Sequence, residues 1–236
     1  MSKPIRFPEE TSRLFSYILT TLAGYEHVGK YQLWRIENNA RELSARYGEI
    51  HRKYHTIDHI FECLEILDAL GLAIGQMKRV ALALIYHDVI YDVDRNDNEE
   101  RSADLLALHL REAGFPARII DPHRGLILAT KHTGKVLIDP LARVIVDIDL
   151  VSLGREPNLY HANTQAIRFE YSHMRGFTEE RWVSGRTAFL ESMLMRTHIY
   201  CTPEFRRKYD EQARKNLKNE LERLKKWGPK PPKRIL

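Results

Sequence analysis

The sequence predicts an all-α protein built as a single helical bundle domain. Three observations carry this. Apolar residues recur at helical spacing in nearly every segment. Runs of alternating Val, Ile and Thr are missing, as is an Asn-Gly or Asp-Gly turn between alternating apolar residues. Glycines and acidic residues stand where helices would end and begin.

The elements follow in order. LFSYILTTLAGY (14–25) and YQLWRIENNARELSARY (31–47) each carry apolar positions three and four apart. HIFECLEILDALG (59–71) places Ile60, Leu64 and Leu67 on one face and offers Gly71 as a terminator. MKRVALALIYHDVIY (77–91) is apolar nearly all round, the pattern of a helix at the centre of a bundle. NEERSADLLALHLREAG (98–114) is amphipathic, with Asn98 as a cap, acids in the first turn and Gly114 at its close. In ARIIDPHRGLILATKHTG (117–134), Pro122 is placed at the first position of a second helix. LARVIVDIDLVSLG (141–154) has strand propensity, but among helices it reads as a buried helix. Three further helical stretches, from Tyr160, Thr178 and Pro203, complete residues 1–224.

The composition is that of an ordinary globular protein, with 43% hydrophobic and 29% charged residues in 236. Cys63 and Cys201 are the only cysteines and stand far apart, so a disulfide framework or zinc ribbon is excluded. MSKPIRFPEE lacks the apolar stretch of a secretion signal, and no run of apolar residues is long enough to span a membrane. These features predict a cytoplasmic protein. The net charge of +5 equals that of residues 225–236, which hold Lys225, Lys226, Lys230, Lys233 and Arg234 and no acid. That stretch is expected to be a disordered, Pro-rich tail. With the body near neutral, nucleic acid is not the expected partner.

Four sites gather His and Asp: His55 and His59 four apart, the adjacent pair His87-Asp88, His132, and Asp147 with Asp149. His55 and His59 share a helix face. The last three sites lie in or beside apolar stretches, where an unpaired charge is costly, so these groups pair or bind a metal. Imidazole together with carboxylate suits Mn, Fe, Co, Ni or Zn better than Mg. Asp92, Asp94 and Asn96 imitate the start of a calcium loop, but Asp97 stands where glycine is needed and Ala103 where glutamate is needed, so calcium is rejected there. No P-loop or dinucleotide-binding glycine pattern occurs.

The ordered set His59, His87-Asp88 (28 positions after His59) and Asp149 (61 after Asp88) resembles the HD-domain metal-dependent phosphohydrolases. The matching segments are RKYHTIDHI, YHDVIYD with DNEERSA, LATKHTG, DIDLVSLG, IRFEYSHM and ARKNLKNEL, across most of residues 50–220. The resemblance implies an HD-type helical bundle in which His59, His87, Asp88 and Asp149 hold a divalent ion of unspecified identity (Mn, Co, Ni, Fe, Zn or Mg). It favours Asp149 over Asp147, because DLVSLG matches the family's pattern, and leaves Asp147 structural. It implies hydrolysis of phosphate esters or anhydrides, of nucleotides or related small molecules, by metal-activated water. Asp92, one turn after Asp88, is then the first candidate for the proton acceptor, with Glu99 and Glu100 behind it. Arg52, His55, Lys131 and His132 would contact the phosphorylated substrate. The alternatives are an HD-fold di-iron oxygenase, completed by His55 and His132, and a non-catalytic module that senses nucleotides or binds RNA. Structural roles are expected for Arg168, Glu170, Tyr171, Arg186 and Arg214, and surface or packing roles for His27, His109, His161, His173 and His198. The sequence does not decide the roles of His51 and His123.

Overall fold

A computed structural model describes residues 9–134 and 136–227. Every regular element among them is helical. The chain divides into two compact units, one ending at Ile148 and the other beginning at Asp149.

The first unit contains α1 (Glu9–Leu22), α2 (Lys30–Tyr47), α3 (Ile57–Asp68), α4 (Ile74–Tyr86), α5 (Asn98–Glu112), α6 (Ala117–Ala129) and α7 (Pro140–Asp149), whose last residue crosses the boundary. Packing pairs α1 with α2 and α5 with α6. Helix α4 lies among α1, α3, α5 and α6. Its all-round apolar sequence explains that place, since every residue from Val80 to Tyr86 is buried. A helix leaves its last carbonyls unpaired. Here Tyr47 Oη donates to Ile85 O at 2.9 Å, which satisfies one of them inside the core.

Two predicted starts are corrected. Asp97, not Asn98, occupies the cap position of α5. The Asn98 side chain instead pairs with the backbone of Asp92, accepting from its N–H at 3.1 Å and donating to its C=O at 2.9 Å. Pro122 does not begin a helix but lies inside α6. It withholds the amide that Arg118 O would accept, and Arg118 is exposed, so water can serve that carbonyl instead. Gly71 and Gly114 take positive φ, +63° and +83°, just past α3 and α5.

The second unit opens with a 3₁₀ turn, Leu150–Gly154, which continues directly from α7. It continues as α8 (Pro157–Tyr171), α9 (Glu179–Met195), the short α10 (Pro203–Phe205), a π turn (Arg206–Asp210) and α11 (Glu211–Trp227). The 3₁₀ turn packs on α11, and a Cβ on Gly154 would come within 2.7 Å of Tyr209 Cβ. Asn216 Nδ2 donates to Leu153 O and Arg155 O at 2.9 and 2.8 Å. A buried ion pair, Arg186 Nε to Glu220 Oε1 at 2.8 Å, joins α9 to α11, and Tyr160 Oη donates to the same carboxylate. The expected structural role of Arg186 is thus met. Lys225 and Lys226, assigned to a tail by sequence, belong to α11, because the amphipathic pattern runs through them. Residues 228–236 lie outside the described residues. No described helix is long and apolar enough to cross a membrane.

Candidate metal centre

The apolar run that buries α4 ends at Tyr86, and His87 keeps helical backbone angles as its C-cap. The chain then turns, with Val89 N–H bonding Tyr86 O at 3.2 Å. The start of α5 holds the following loop, where Ile90 N–H donates to Ser102 Oγ at 3.1 Å. His87 and Asp88 therefore sit on a rigid post. His87 is 1% exposed, and its Nδ1 donates to Leu84 O at 2.8 Å. A carbonyl can only accept, so this bond puts the neutral ring's lone pair on Nε2.

That lone pair faces Asp88 Oδ2 at 2.9 Å. His59, in the first turn of α3, brings its Nε2 to 3.8 Å from the same oxygen. The His59 and His87 rings are 5.5 Å apart between centroids. Asp149 supplies the fourth group as the last residue of α7. One donor atom from each of His59, His87, Asp88 and Asp149 lies within 4.8 Å of the other three. An imidazole lone pair and a carboxylate oxygen at 2.9 Å repel unless a proton or a cation lies between them. Two imidazoles and two carboxylates with one atom each inside 4.8 Å form a ligand set that fits a divalent ion.

The other predicted residues fall into different places. Glu99 is half-buried, and burial, reinforced by the charge of Asp88, raises its carboxyl above the usual range. Glu100 moves the opposite way, lowered by its hydrogen bond to Lys131. Lys131 Nζ donates to Glu100 and, at 2.6 Å, to Asn96 O, so it ties the turn after α6 to the α5 start. Asp92 is exposed, and its Oδ1 accepts from Asp94 N–H at 3.0 Å, an Asx turn within the loop. His132 takes φ 51°, a left-handed conformation uncommon outside glycine. His55 stacks on Tyr91 at 4.1 Å and lies 6.2 Å from the His59 ring.

Arg52 was expected at the substrate phosphate, but it is 4% exposed. Its guanidinium donates to Asp88 O, Val89 O and His55 O at 2.7, 2.9 and 3.2 Å, and to Glu49 Oε2 at 3.0 Å. Those carbonyls and Glu49 occupy the fork that a phosphate would need. Asp147 is fully buried, in keeping with a structural role.

Sequence reasoning missed three neighbours of the cluster. Tyr54 packs on His59 at 4.9 Å, Tyr91 on His55, and Cys63 Sγ lies 3.7 Å from His59 Nε2. The available signals were Cys63 one turn after His59 and tyrosines beside both His55 and the His-Asp pair. Comparison with family models, curated proteins and solved structures found no match.

Proposed function

We propose that this protein is a metal-dependent phosphohydrolase of the HD-domain kind, acting in the cytoplasm on phosphate esters or anhydrides of small molecules such as nucleotides. The observation that carries the reading is the convergence of His59, His87, Asp88 and Asp149 on one point. The ordered His, His-Asp and Asp pattern adds to it. His59, His87, Asp88 and Asp149 would hold a divalent ion, which would supply an acidified water, its pKa brought toward about 7, and positive charge for phosphoryl oxygens.

The chain's own residues supply the rest. His87, locked by Leu84 O, presents a lone pair without needing to reorient. Glu99, not Asp92, is the better candidate to take the water's proton. Burial raises the proton affinity of the Glu99 carboxyl, which suits a proton acceptor, whereas Asp92 is exposed and its carboxylate serves its own turn. His55 and His132 remain candidates for the phosphate.

The test is a screen of nucleotides and phosphate esters with Mn, Co, Ni, Mg and Zn, reading phosphate or pyrophosphate release. Turnover should vanish in His87→Ala and Asp88→Ala while both stay folded. Normal turnover in both variants would end the proposal. Metal analysis separates the oxygenase alternative, which requires two irons per chain.

A further inference from the structure

Arg52 joins two segments that no helix connects. One is the turn entering α3, which carries His55 and leads to His59. The other is the loop leaving α4, which carries His87 and Asp88. The guanidinium bonds the carbonyl of His55 in the first and those of Asp88 and Val89 in the second, across 36 and 37 positions of chain. Its Cζ lies 5.3 Å from the centre of the Tyr47 ring, whose hydroxyl bonds Ile85 O of α4, and 5.5 Å from the centre of the Tyr91 ring, which stacks on His55.

We infer that Arg52 is a positioning residue of the metal centre: by fixing the backbone carbonyl of the ligand Asp88 against the turn before the ligand His59, it sets their approach and hence metal affinity. This rests on the metal-centre reading above. Asp88 Oδ2 and His59 Nε2 stand 3.8 Å apart, and they arrive from segments that Arg52 pins together. Holding a residue's carbonyl restricts its backbone angles, and with them the direction in which its side chain leaves the chain. Groups that orient metal ligands in this way typically change metal affinity by about 10- to 100-fold when removed.

Position, rather than charge, is the route. A bare cation near a dication site would weaken binding. Glu49, at 3.0 Å from Arg52 Nε, offsets that charge locally. The guanidinium also has a geometry that lysine cannot copy. Three donor nitrogens in one plane reach four acceptors, whereas an ammonium is a single point.

The experiment measures Mn²⁺ affinity by titration calorimetry on full-length wild type, Arg52→Lys and Glu49→Gln, with melting of each metal-free protein and visible spectra of the Co²⁺ forms. Arg52→Lys should bind Mn²⁺ about 10- to 100-fold more weakly, with an altered Co²⁺ spectrum. Glu49→Gln, which leaves the fork on the three carbonyls, should change affinity less. Arg52→Lys with lower melting but affinity within twofold of wild type would reduce Arg52 to a structural brace and overturn the inference. So would a larger loss in Glu49→Gln than in Arg52→Lys, since the effect would then be one of charge. If wild type itself binds none of Mn²⁺, Co²⁺ or Ni²⁺, the metal-centre reading fails first and takes this inference with it.

Discussion

Replacing Asp149 with Asn should make the metal-free protein more stable and abolish its response to metal. Asp88 and Asp149 each place a carboxylate oxygen within 4.8 Å of the other's. Two like charges at that separation repel by about 3 kcal/mol at an effective dielectric constant near 20. The Asp88 side chain is 18% exposed, so solvent screening reduces the relief to about 1–2 kcal/mol. For a chain of this length, that corresponds to a melting point higher by roughly 2–8 °C. Wild type at a metal concentration 100 times its Kd should instead gain about 2.7 kcal/mol. Calorimetric melting in EDTA and in Mn²⁺ reads both effects. The variant should melt above wild type in EDTA and stay put when Mn²⁺ is added. A variant that melts below wild type in EDTA and still shifts with Mn²⁺ would refute both the repulsion and the ligand role.

Three other outcomes follow from the same physics. Glu99→Gln should lower kcat by about 10²–10⁴ with Mn²⁺ affinity nearly kept, while Asp92→Asn should stay near wild type; steady-state kinetics with calorimetry decides, and the reverse order would reinstate Asp92. His123 is pushed down to about 4, chiefly by burial. The folded state therefore takes up its proton later than the unfolded state, whose pKa is near 6.5, so stability present above that pH is lost as the pH falls through about 4. The loss from this group is about 2 kcal/mol at pH 5 and about 3 kcal/mol at pH 4. Urea unfolding across that window should be flatter by this amount in His123→Phe; parallel curves would contradict it. Glu220→Gln breaks a buried ion pair and leaves Arg186 uncompensated, so it should cost about 3–5 kcal/mol in urea unfolding. A loss below about 1 kcal/mol would show that water reaches the pair.

The helices were legible wherever the apolar spacing was unambiguous. Residues 77–86 read as a central helix because apolar residues on every side have nowhere to go but inward, and α4 is buried from Val80 to Tyr86. Residues 141–149 could have been a strand by propensity, and the helical surroundings correctly outweighed it. Pro122 lies inside α6 although an interior proline costs about 3 kcal/mol or more, because burial of Ile119, Ile120, Leu126 and Ile127 on either side of it offsets a local loss that sequence spacing alone does not weigh. The apolar surroundings of His87-Asp88 and of Asp147 with Asp149 called for a partner there, because burial makes an unpaired charge costly, but His59 and the choice of Asp149 over Asp147 came from the resemblance to the HD-domain pattern.

The supporting residues were not legible in the same way, and Arg52, Lys131 and Asp92 show why. Each is a polar group in a segment that carries His or Asp, so Arg52 and Lys131 looked available to substrate and Asp92 to the water's proton. What a polar group does depends on which partners reach it first, and for Arg52 and Lys131 some of those partners come from remote positions. Arg52 meets the carbonyls of Asp88 and Val89, and Lys131 meets Glu100 and Asn96. Asp92 turns back on Asp94 and Asn98. Glu99 differs because half-burial next to Asp88 raises its proton affinity, a property of packing that no spacing rule encodes. Donor accounting in the fold thus divides the acidic rim: Asp92 and Glu100 hold the rim's own loop and helix in place, and Glu99 is left as its candidate for proton transfer.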